Sequence, residues 1–365
     1  MKKVAVLLAF IVFGGLYAQN DFKKSEEQIK RLPHEKIAVG VAGGVLHDGK
    51  IVWTCSSGFS DVENQIRFTP TTLTRVASIA KPMTAIAVLQ LYEQGLVDLE
   101  APIQDYVSDF PVKEEGTITV RHLLNHSSGI AEYASKKEAH GADNYATLTE
   151  AMNVFKNREL LEKPGIEEFY TTYGYVVLGV LIERVSGMSY EAYMQKNIWD
   201  KAGMVNTGVE KVDAAYTNKS LLYDRNKNGK IKKVKGSSDL SNRVPGGGLY
   251  ATVEDLLRFG QAVLDHTLIS ETSTALMLEE QAVKYDGNPY ALGWFLYSQS
   301  GERKDVFGHG GSQKGCSAQI MLVPKRKAVV AILSNTSGGW GDVIGASVTL
   351  INDAGLYDDN DVVEK

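Results

Sequence analysis

The chain contains little of what several enzyme classes require. Cys55 and Cys316 are its only cysteines, and neither lies beside histidines and acids with metal-ligand spacing. No glycine-rich loop is followed by Gly-Lys-Ser or Gly-Lys-Thr, and Gly-x-Ser-x-Gly does not occur. These absences argue against a thiol enzyme, a structural zinc site, a P-loop nucleotide site and a Ser-His-Asp hydrolase built on a nucleophile elbow.

Long hydrophobic runs are also scarce. The one long uncharged run, Val4 to Ala18, follows Lys2 and Lys3 and precedes polar residues. This layout is typical of a secretory signal peptide, residues 1–18, with cleavage after Ala18. The run is shorter than the roughly 20 residues of a spanning helix, so an uncleaved anchor is the weaker alternative. We therefore expect an exported protein, periplasmic or secreted, with no membrane span in the mature chain.

Basic residues are fewer than acidic residues, 39 against 44. The formal net charge is −5, and removal of residues 1–18, which contain two lysines and no acid, changes it to −7. A negative surface argues against nucleic acid as a partner. After export the two cysteines could form one disulfide or remain buried thiols, and the sequence leaves both open. It also leaves the oligomeric state open.

Strand signals lie at both ends of the chain and helix signals in the middle. Residues 37–60 form two apolar runs around Asp48-Gly49, which predicts a β-hairpin, and short β-branched runs return between 305 and 335. The fold class is therefore α/β (α+β), an antiparallel sheet flanked by helices with a mainly helical insertion. We predict one domain, residues 19–365, with the sheet in about 19–115 and 286–365 and the helices in about 116–285.

The segment from Ser78 to Gly95 is apolar on nearly every side, which is typical of a buried central helix. Other helices have recognisable ends: Thr119, Ser189 and Thr252 are predicted N-caps, and Gly187 a C-terminal stop. The central helix begins with Ser78-Ile79-Ala80-Lys81, the one Ser-x-x-Lys in the chain. Lysine in a low-dielectric site loses its preference for the charged form, and a neutral amine can take a proton from serine.

Two later segments extend this motif, 169–187 with Tyr170 and 308–312 with His309. With Ser78 and Lys81 they resemble the motifs of the S-x-x-K serine hydrolases of the β-lactamase and penicillin-binding-protein superfamily, which are Ser-x-x-Lys, Tyr-x-Asn and Lys-Thr-Gly or His-x-Gly. Similar segments at 60–65, 122–130 and 239–264 extend the resemblance over most of the mature chain.

The resemblance implies a β-lactamase/transpeptidase-like fold and assigns roles to these residues. Ser78 is the nucleophile that forms an acyl-enzyme, Lys81 and Tyr170 share the general-base work, and His309 supplies a hydrogen bond or positive charge across the cleft. The backbone N–H groups of Ser78 and Ser312 form the oxyanion hole. Neither a metal nor an organic cofactor is implied.

Three further positions complete the predicted substrate-binding site. Gly310 and Gly311 would let a substrate strand approach the backbone closely. Thr172 stands where Tyr-x-Asn has asparagine, and threonine lacks the separate donor and acceptor of an amide. We therefore favour a peptidase or esterase acting on a small molecule or peptide with an amide or ester carbonyl. The alternatives are a true β-lactamase, a D-Ala-D-Ala carboxypeptidase, or a weakly active binding or scaffold relative.

Three other patterns have structural interpretations. His122 and His126 are four residues apart, but no third ligand is in view, so we expect no metal site. Residues 224–231 imitate the start of a calcium loop, yet position twelve is Lys235, which favours a polar hairpin turn. Gly246 to Gly248 are expected to form a close-packed or flexible loop at the edge of the cleft.

Overall fold

The computed structural model describes residues 21–141, 143–236, 238–281, 283–284, 287–297 and 306–356, so the signal-peptide prediction lies outside the described residues. The strands are β1 (Gly40–His47), β2 (Lys50–Asp61), β3 (Ile66–Arg67), β4 (Thr74–Arg75), β5 (Gly208–Val209), β6 (Tyr223–Arg225), β7 (Ile231–Lys233), β8 (Leu249–Ala251), β9 (Phe295–Leu296), β10 (Phe307–Gln313), β11 (Cys316–Val323), β12 (Ala328–Ser334) and β13 (Thr336–Ser337). The α-helices are α1 (Lys23–His34), α2 (Ala80–Glu93), α3 (Val120–Leu124), α4 (Lys136–Ala139), α5 (Leu148–Asn153), α6 (Thr172–Ser186), α7 (Tyr190–Met194), α8 (Asp200–Ala202), α9 (Val244–Gly247), α10 (Val253–Leu264), α11 (Glu271–Met277) and α12 (Trp340–Asp353).

Both ends of the chain build one antiparallel sheet of seven strands, in the order β3-β2-β1-β12-β11-β10-β9. The first hairpin turns at Asp48 and Gly49, whose φ angles are 46° and 75°. Two successive positive φ angles match the right-handed twist of the flanking strands. The predicted hairpin and the antiparallel sheet with helices are confirmed.

The two faces of the sheet are covered by different helices. On β1, Val41 and Val45 belong to the apolar cluster of α1 and α12, whereas Ala42 and Leu46 belong to the cluster of the central helices. This division follows from the alternation of side chains along a strand. The helix α10 packs on β1 and β12 although its residues, 253–264, come from the middle of the chain. The division of residues 19–365 into a sheet region and a helical region stays a prediction.

The central helix is α2, and it is buried from Ala80 to Leu91. A 3₁₀ turn, Ala77–Ile79, precedes it, so Ser78 lies just before the α-helix rather than within it. Pro82 is the third helical residue, where its missing N–H costs no intrahelical bond. The helix packs against α6 and α9, so the start of α2 lies where these three helices meet.

The predicted helix ends are confirmed. The side-chain oxygens of Thr119, Ser189 and Thr252 each accept a hydrogen bond from the backbone N–H three residues later. Gly187 ends α6 in the left-handed conformation, with a φ of 69°. The segment that resembled a calcium loop is the hairpin of β6 and β7, and Asn226 Oδ1 accepts hydrogen bonds from two backbone N–H groups in its turn.

The two cysteines are free thiols. Cys55 lies on β2 and Cys316 on β11, with β1 and β12 between them. Strands are about 4.8 Å apart, so three spacings exceed the distance of about 7 Å that a disulfide can join. Cys316 Sγ donates a hydrogen bond to the carbonyl oxygen of Arg75 at 3.0 Å, and burial raises its pKa to about 12. In the described part of the chain, none of the helices has the length and hydrophobicity needed to cross a bilayer.

Candidate active site

The candidate nucleophile lies in a strained turn. Ala77, which precedes Ser78, has a φ of 49°, a conformation that side-chain-bearing residues rarely adopt. Such a residue costs on the order of 1–3 kcal/mol and persists only where its surroundings fix it. Here the strand β10 packs against the turn. Ser78 itself is partly exposed, so its hydroxyl is presented at the surface of a rigid support.

Lys81 lies next to Ser78, on its buried side. Its Nζ is 3.1 Å from Ser78 Oγ, 3.3 Å from Thr172 Oγ1 and 3.0 Å from the carbonyl oxygen of Gly246. The residue is completely buried. Burial lowers its pKa from 10.5 to about 7, with the nearby charges of Glu132 and Arg243 acting in opposite directions. A large part of Lys81 is therefore neutral at pH 7 and can accept a proton from Ser78.

Tyr170 lies over the same lysine. Lys81 Nζ is 4.6 Å from the centre of its ring, and the Ser78 side chain is close enough to act on the pKa of the phenol. Burial raises the pKa of Tyr170 well above its usual value, although Ser78 acts to lower it. The phenol is therefore neutral at pH 7, able to donate or relay a proton rather than start as a base. The residue is still 37% exposed, so a substrate can reach it.

Thr172 is the first residue of α6, and its hydroxyl lies 3.3 Å from Lys81 Nζ. Its backbone N–H donates to a carboxylate oxygen of Glu132. The structure therefore places Thr172 beside Lys81, and its role in substrate binding stays a prediction. The threonine hydroxyl provides the contact with the lysine, but no amide is present to bind a second group.

His309 is held by both ring nitrogens. Its Nδ1 lies 2.6 Å from the carbonyl oxygen of Gly310 and its Nε2 lies 3.0 Å from the hydroxyl of Tyr290. The carbonyl can only accept, so Nδ1 carries the proton and Nε2 accepts from Tyr290. Burial and the charge of Lys81 lower the pKa of His309 to about 3. The ring of His309 is therefore neutral at pH 7. Of the two predicted contributions, it could supply a hydrogen bond but not a positive charge.

The glycines of β10 have a steric reason within the protein, and the predicted approach of a substrate strand stays a prediction. A Cβ on Gly311 would lie 2.3 Å from the carbonyl oxygen of Val76, and one on Gly310 would lie 2.5 Å from Trp340 Cζ2. The missing side chains thus let β10 pack against the Ser78 turn on one face and against α12 on the other. Ser312 follows, pairs with Ser317 in the sheet, and is exposed.

A buried ion pair ties the nucleophile turn to the end of β10. Arg75 and Glu210 are 2% and 9% exposed and lie 2.6 Å apart. Burial acts to raise the pKa of Glu210, but Arg75 and Lys219 lower it. Arg75 Nη1 also donates to the carbonyl oxygen of Lys314 at 3.1 Å. Since Arg75 is three residues before Ser78, its side chain fixes the turn relative to Ser312.

Several residues at the site carry no motif that sequence reasoning could use. Glu132 accepts a hydrogen bond from the backbone N–H of Thr172, and the carbonyl oxygen of Gly246 accepts one from Lys81 Nζ. The Tyr290 hydroxyl is hydrogen-bonded to His309 Nε2. Tyr290 lies in an aromatic-rich segment with Gly293, which is the only signal for it. The segment expected to be a close-packed or flexible loop, Gly246 to Gly248, instead contains the last two residues of α9. It is closely packed, because a Cβ on Gly246 would lie 2.6 Å from Thr172 Cγ2.

The two histidines considered as metal ligands have other contacts. His122 Nδ1 accepts a hydrogen bond from the backbone N–H of Thr119 at the start of α3. His126 Nδ1 accepts from the N–H of Thr171 at 3.2 Å, and its ring lies 4.2 Å from that of Tyr170. His126 therefore supports the segment that carries Tyr170. Within the described ranges no group of three or more metal-ligating side chains occurs.

A family model described as Beta-lactamase matches residues 26–350, so the protein belongs to the β-lactamase family. The serine beta-lactamase-like protein LACTB, mitochondrial, of Homo sapiens is 28% identical to it over 400 residues, which cover 83% of this chain and 72% of that relative. The putative penicillin-binding protein PbpX of Bacillus subtilis (strain 168) is 30% identical over 289 residues, which cover 75% of this chain and 68% of PbpX.

The solved structures agree on the fold. The octameric penicillin-binding protein homologue from Pyrococcus abyssi aligns with a TM-score of 0.79 at 28% identity, covering 92% of this chain and 78% of that one. The predicted family resemblance and the β-lactamase/transpeptidase-like fold are thereby confirmed.

Proposed function

We propose that this protein is an exported serine hydrolase that acts through a covalent acyl-enzyme on Ser78. The observation that carries the proposal is the distance of 3.1 Å between Lys81 Nζ and Ser78 Oγ. It is supported by the burial that lowers the pKa of Lys81 to about 7. A general base works best when its pKa is near the operating pH and it lies within hydrogen-bond reach of the proton it removes.

The proposed reaction has two halves. Ser78 Oγ attacks a carbonyl carbon while its proton moves to Lys81 Nζ, and the N–H groups of Ser78 and Ser312 bind the resulting oxyanion. The proton passes through the Tyr170 hydroxyl to the leaving group, whose bond to carbon breaks as the acyl-enzyme forms. Water then repeats the attack and returns the proton to Ser78. Every step uses groups of this chain.

The proposed substrate class is a small molecule or peptide with an amide or ester carbonyl. A peptidase or esterase is favoured over a true β-lactamase or a D-Ala-D-Ala carboxypeptidase because of Thr172. Asparagine at this position would offer an amide to the acylamino group of a penicillin, and the threonine hydroxyl is already within 3.3 Å of Lys81 Nζ. We expect Thr172→Asn to increase the rate of acylation by penicillin, with an activated acyl ester as the matched control reagent.

Intact-mass spectrometry tests the nucleophile. The mature protein and its Ser78→Ala variant are incubated separately with a penicillin and with an activated acyl ester. We expect an adduct on the wild type that is absent from the variant. A persistent penicillin adduct would indicate a penicillin-binding pocket, and a persistent adduct of the ester would indicate an esterase pocket. The absence of adduct and product with both reagents would contradict the proposal and favour the scaffold alternative, which size-exclusion chromatography would then examine.

The same spectra test export. A mature chain that begins at Gln19 would support cleavage of residues 1–18 and a periplasmic or secreted location. A mass that includes residues 1–18 in protein purified from the cells that make it would contradict this part of the proposal.

A further inference from the structure

The first turn of α6 follows directly after Tyr170, and side chains from another segment hold its backbone. The N–H of Thr171 donates to His126 Nδ1 at 3.2 Å, and the N–H of Thr172 donates to a carboxylate oxygen of Glu132. The N–H groups at the start of a helix have no partner within the helix. These two contacts therefore fix the backbone that places Tyr170 and Thr172 at the site.

The segment that supplies Glu132 packs on the same turn of α6. The ring of Tyr133 meets that of Tyr173 edge-on, with ring centres 5.0 Å apart. The guanidinium carbon of Arg243 lies 4.4 Å from the centre of the Tyr133 ring, and Arg243 is only 5% exposed. A carboxylate is favoured at the N-terminal end of a helix by the helix dipole. Glu132, which is partly exposed, thus has both a packed support and a favourable field.

Thr172 links Glu132 to the candidate base. Its backbone N–H binds the carboxylate, while its hydroxyl lies 3.3 Å from Lys81 Nζ. Tyr170, two residues earlier, has its ring centre 4.6 Å from the same Nζ. Release of the Thr172 N–H would therefore loosen two of the groups that surround the amine.

Two charged side chains act on Lys81 with opposite sign. Burial is the main effect and lowers the pKa of Lys81 to about 7, while the carboxylate of Glu132 raises this pKa and the guanidinium of Arg243 lowers it. Titratable rings also face the amine from the elements around it, and burial shifts the pKa of each so that it is neutral at pH 7. They are His126, His309, Tyr170 and Tyr175. Glu132 thus brings negative charge toward a base that becomes positive when it takes a proton.

We propose that Glu132 is a positioning residue for the acylation of Ser78: through Thr172 it holds the start of α6 against Lys81, and its charge stabilises the ammonium that Lys81 becomes. The inference rests on the proposed function, since it concerns the proton transfer of that step. In the transfer the O–H bond of Ser78 breaks and an N–H bond forms on Lys81, while an electron pair of Ser78 Oγ forms the bond to the carbonyl carbon. A fixed negative group stabilises the positive charge that develops on the amine.

Glu132→Gln removes the charge and keeps the hydrogen bond, because the amide oxygen can still accept from the Thr172 N–H. Without the carboxylate the pKa of Lys81 falls further, so more of the amine is neutral in acid, but each neutral amine is a weaker base. We expect the midpoint of the acylation profile to fall by about 0.5 to 1 pH unit. The rate should therefore rise about two- to threefold at pH 5 and fall about two- to threefold at pH 9.

Single-turnover acylation by an activated ester between pH 5 and pH 10 measures both changes. The two profiles should cross, because the charge acts in opposite directions on the amount and on the strength of the base. A purely structural role predicts a rate that falls by the same factor at every pH. That result, or a profile identical to that of the wild type, would overturn the inference.

Glu132→Ala removes the hydrogen bond as well as the charge. We expect the same shift of the midpoint and a fall of the plateau by at least about tenfold, because Tyr170 and Thr172 lose their fixed placement. A plateau equal to that of Glu132→Gln would overturn the positioning role. The glutamine variant tests the charge even if the alanine variant fails to fold.

Glu115→Gln is the matched control. The Glu115 carboxylate also accepts a hydrogen bond from a backbone N–H, that of Leu160, at 3.0 Å. We expect the acylation profile of this variant to equal that of the wild type. A shift like that of Glu132→Gln would show that the effect does not depend on the contact with Thr172 and would contradict the inference.

NMR titration of the Lys81 amine tests the charge effect without a substrate. We expect the titration midpoint of Lys81 to be lower in Glu132→Gln than in the wild type, and equal midpoints would overturn the inference. The two experiments together separate it from the proposed function. If no reagent acylates Ser78, the proposed function fails and this inference fails with it. If Ser78 is acylated but neither midpoint moves in Glu132→Gln, only this inference fails.

Discussion

The pH dependence of acylation tests the assignment of Lys81 as the base. Burial lowers the pKa of Lys81 from 10.5 to about 7. Because only the neutral amine can accept the proton of Ser78, the acylation rate should rise with pH and level off above pH 8. The direction follows from the protonation state: acid conditions charge the amine and remove the base.

The expected magnitude follows from the same value. With a pKa of about 7, half of Lys81 is neutral at pH 7, about a tenth at pH 6 and about a hundredth at pH 5. With the ordinary pKa of 10.5, only about one molecule in three thousand would be neutral at pH 7. The burial of this one amine therefore increases the fraction of the protein with a neutral Lys81 at pH 7 about a thousandfold.

Single-turnover acylation by an activated ester between pH 5 and pH 10 measures this profile. We expect one rising limb with a midpoint near pH 7. A limb that continues to rise to pH 10, or a rate that is constant from pH 5 to pH 9, would refute the reasoning. Lys81→Arg is the matched variant, since guanidinium stays charged over this range and should abolish the limb together with most of the activity.

Three further predictions concern the surroundings of the nucleophile. Glu210→Gln should destabilise the protein by about 3–5 kcal/mol because it leaves the Arg75 guanidinium buried without its partner; urea unfolding measures this, and a change below about 1 kcal/mol would contradict it. Gly311→Ala places a Cβ 2.3 Å from the carbonyl oxygen of Val76, so it should slow acylation at least about tenfold. Circular dichroism would confirm that the fold is retained, and an unchanged acylation rate would argue against close packing at Gly311. Tyr290→Phe removes the hydrogen-bond donor to His309 and should lower kcat/KM by about three- to tenfold, the value of one neutral hydrogen bond; unchanged kinetics and an unchanged histidine NMR signal would show that the bond is unimportant.

The sequence alone predicted the features that depend on local patterns. The hairpin at Asp48-Gly49 follows from the residues that tolerate positive φ angles. The caps at Thr119 and Thr252 follow from short polar side chains that bind nearby N–H groups. The central helix α2 was identifiable because nearly all of its side chains are apolar. Ser78 and Lys81 could be paired because they are three residues apart at the start of this helical segment.

Other features required the tertiary structure because they join residues that are distant along the chain. The pKa of Lys81 depends on burial by α6 and α9, and the tautomer of His309 depends on Tyr290, 19 residues away. The sequence indicated that β10 needs glycines, but only the tertiary structure shows that Gly311 packs against Val76 and Gly310 against Trp340. Hydrophobic periodicity and motif order thus determined the fold class and named the candidate chemical groups. Packing alone decided which of those groups are charged, which are neutral and which apolar rings lie beside them, because desolvation acts through space rather than along the sequence.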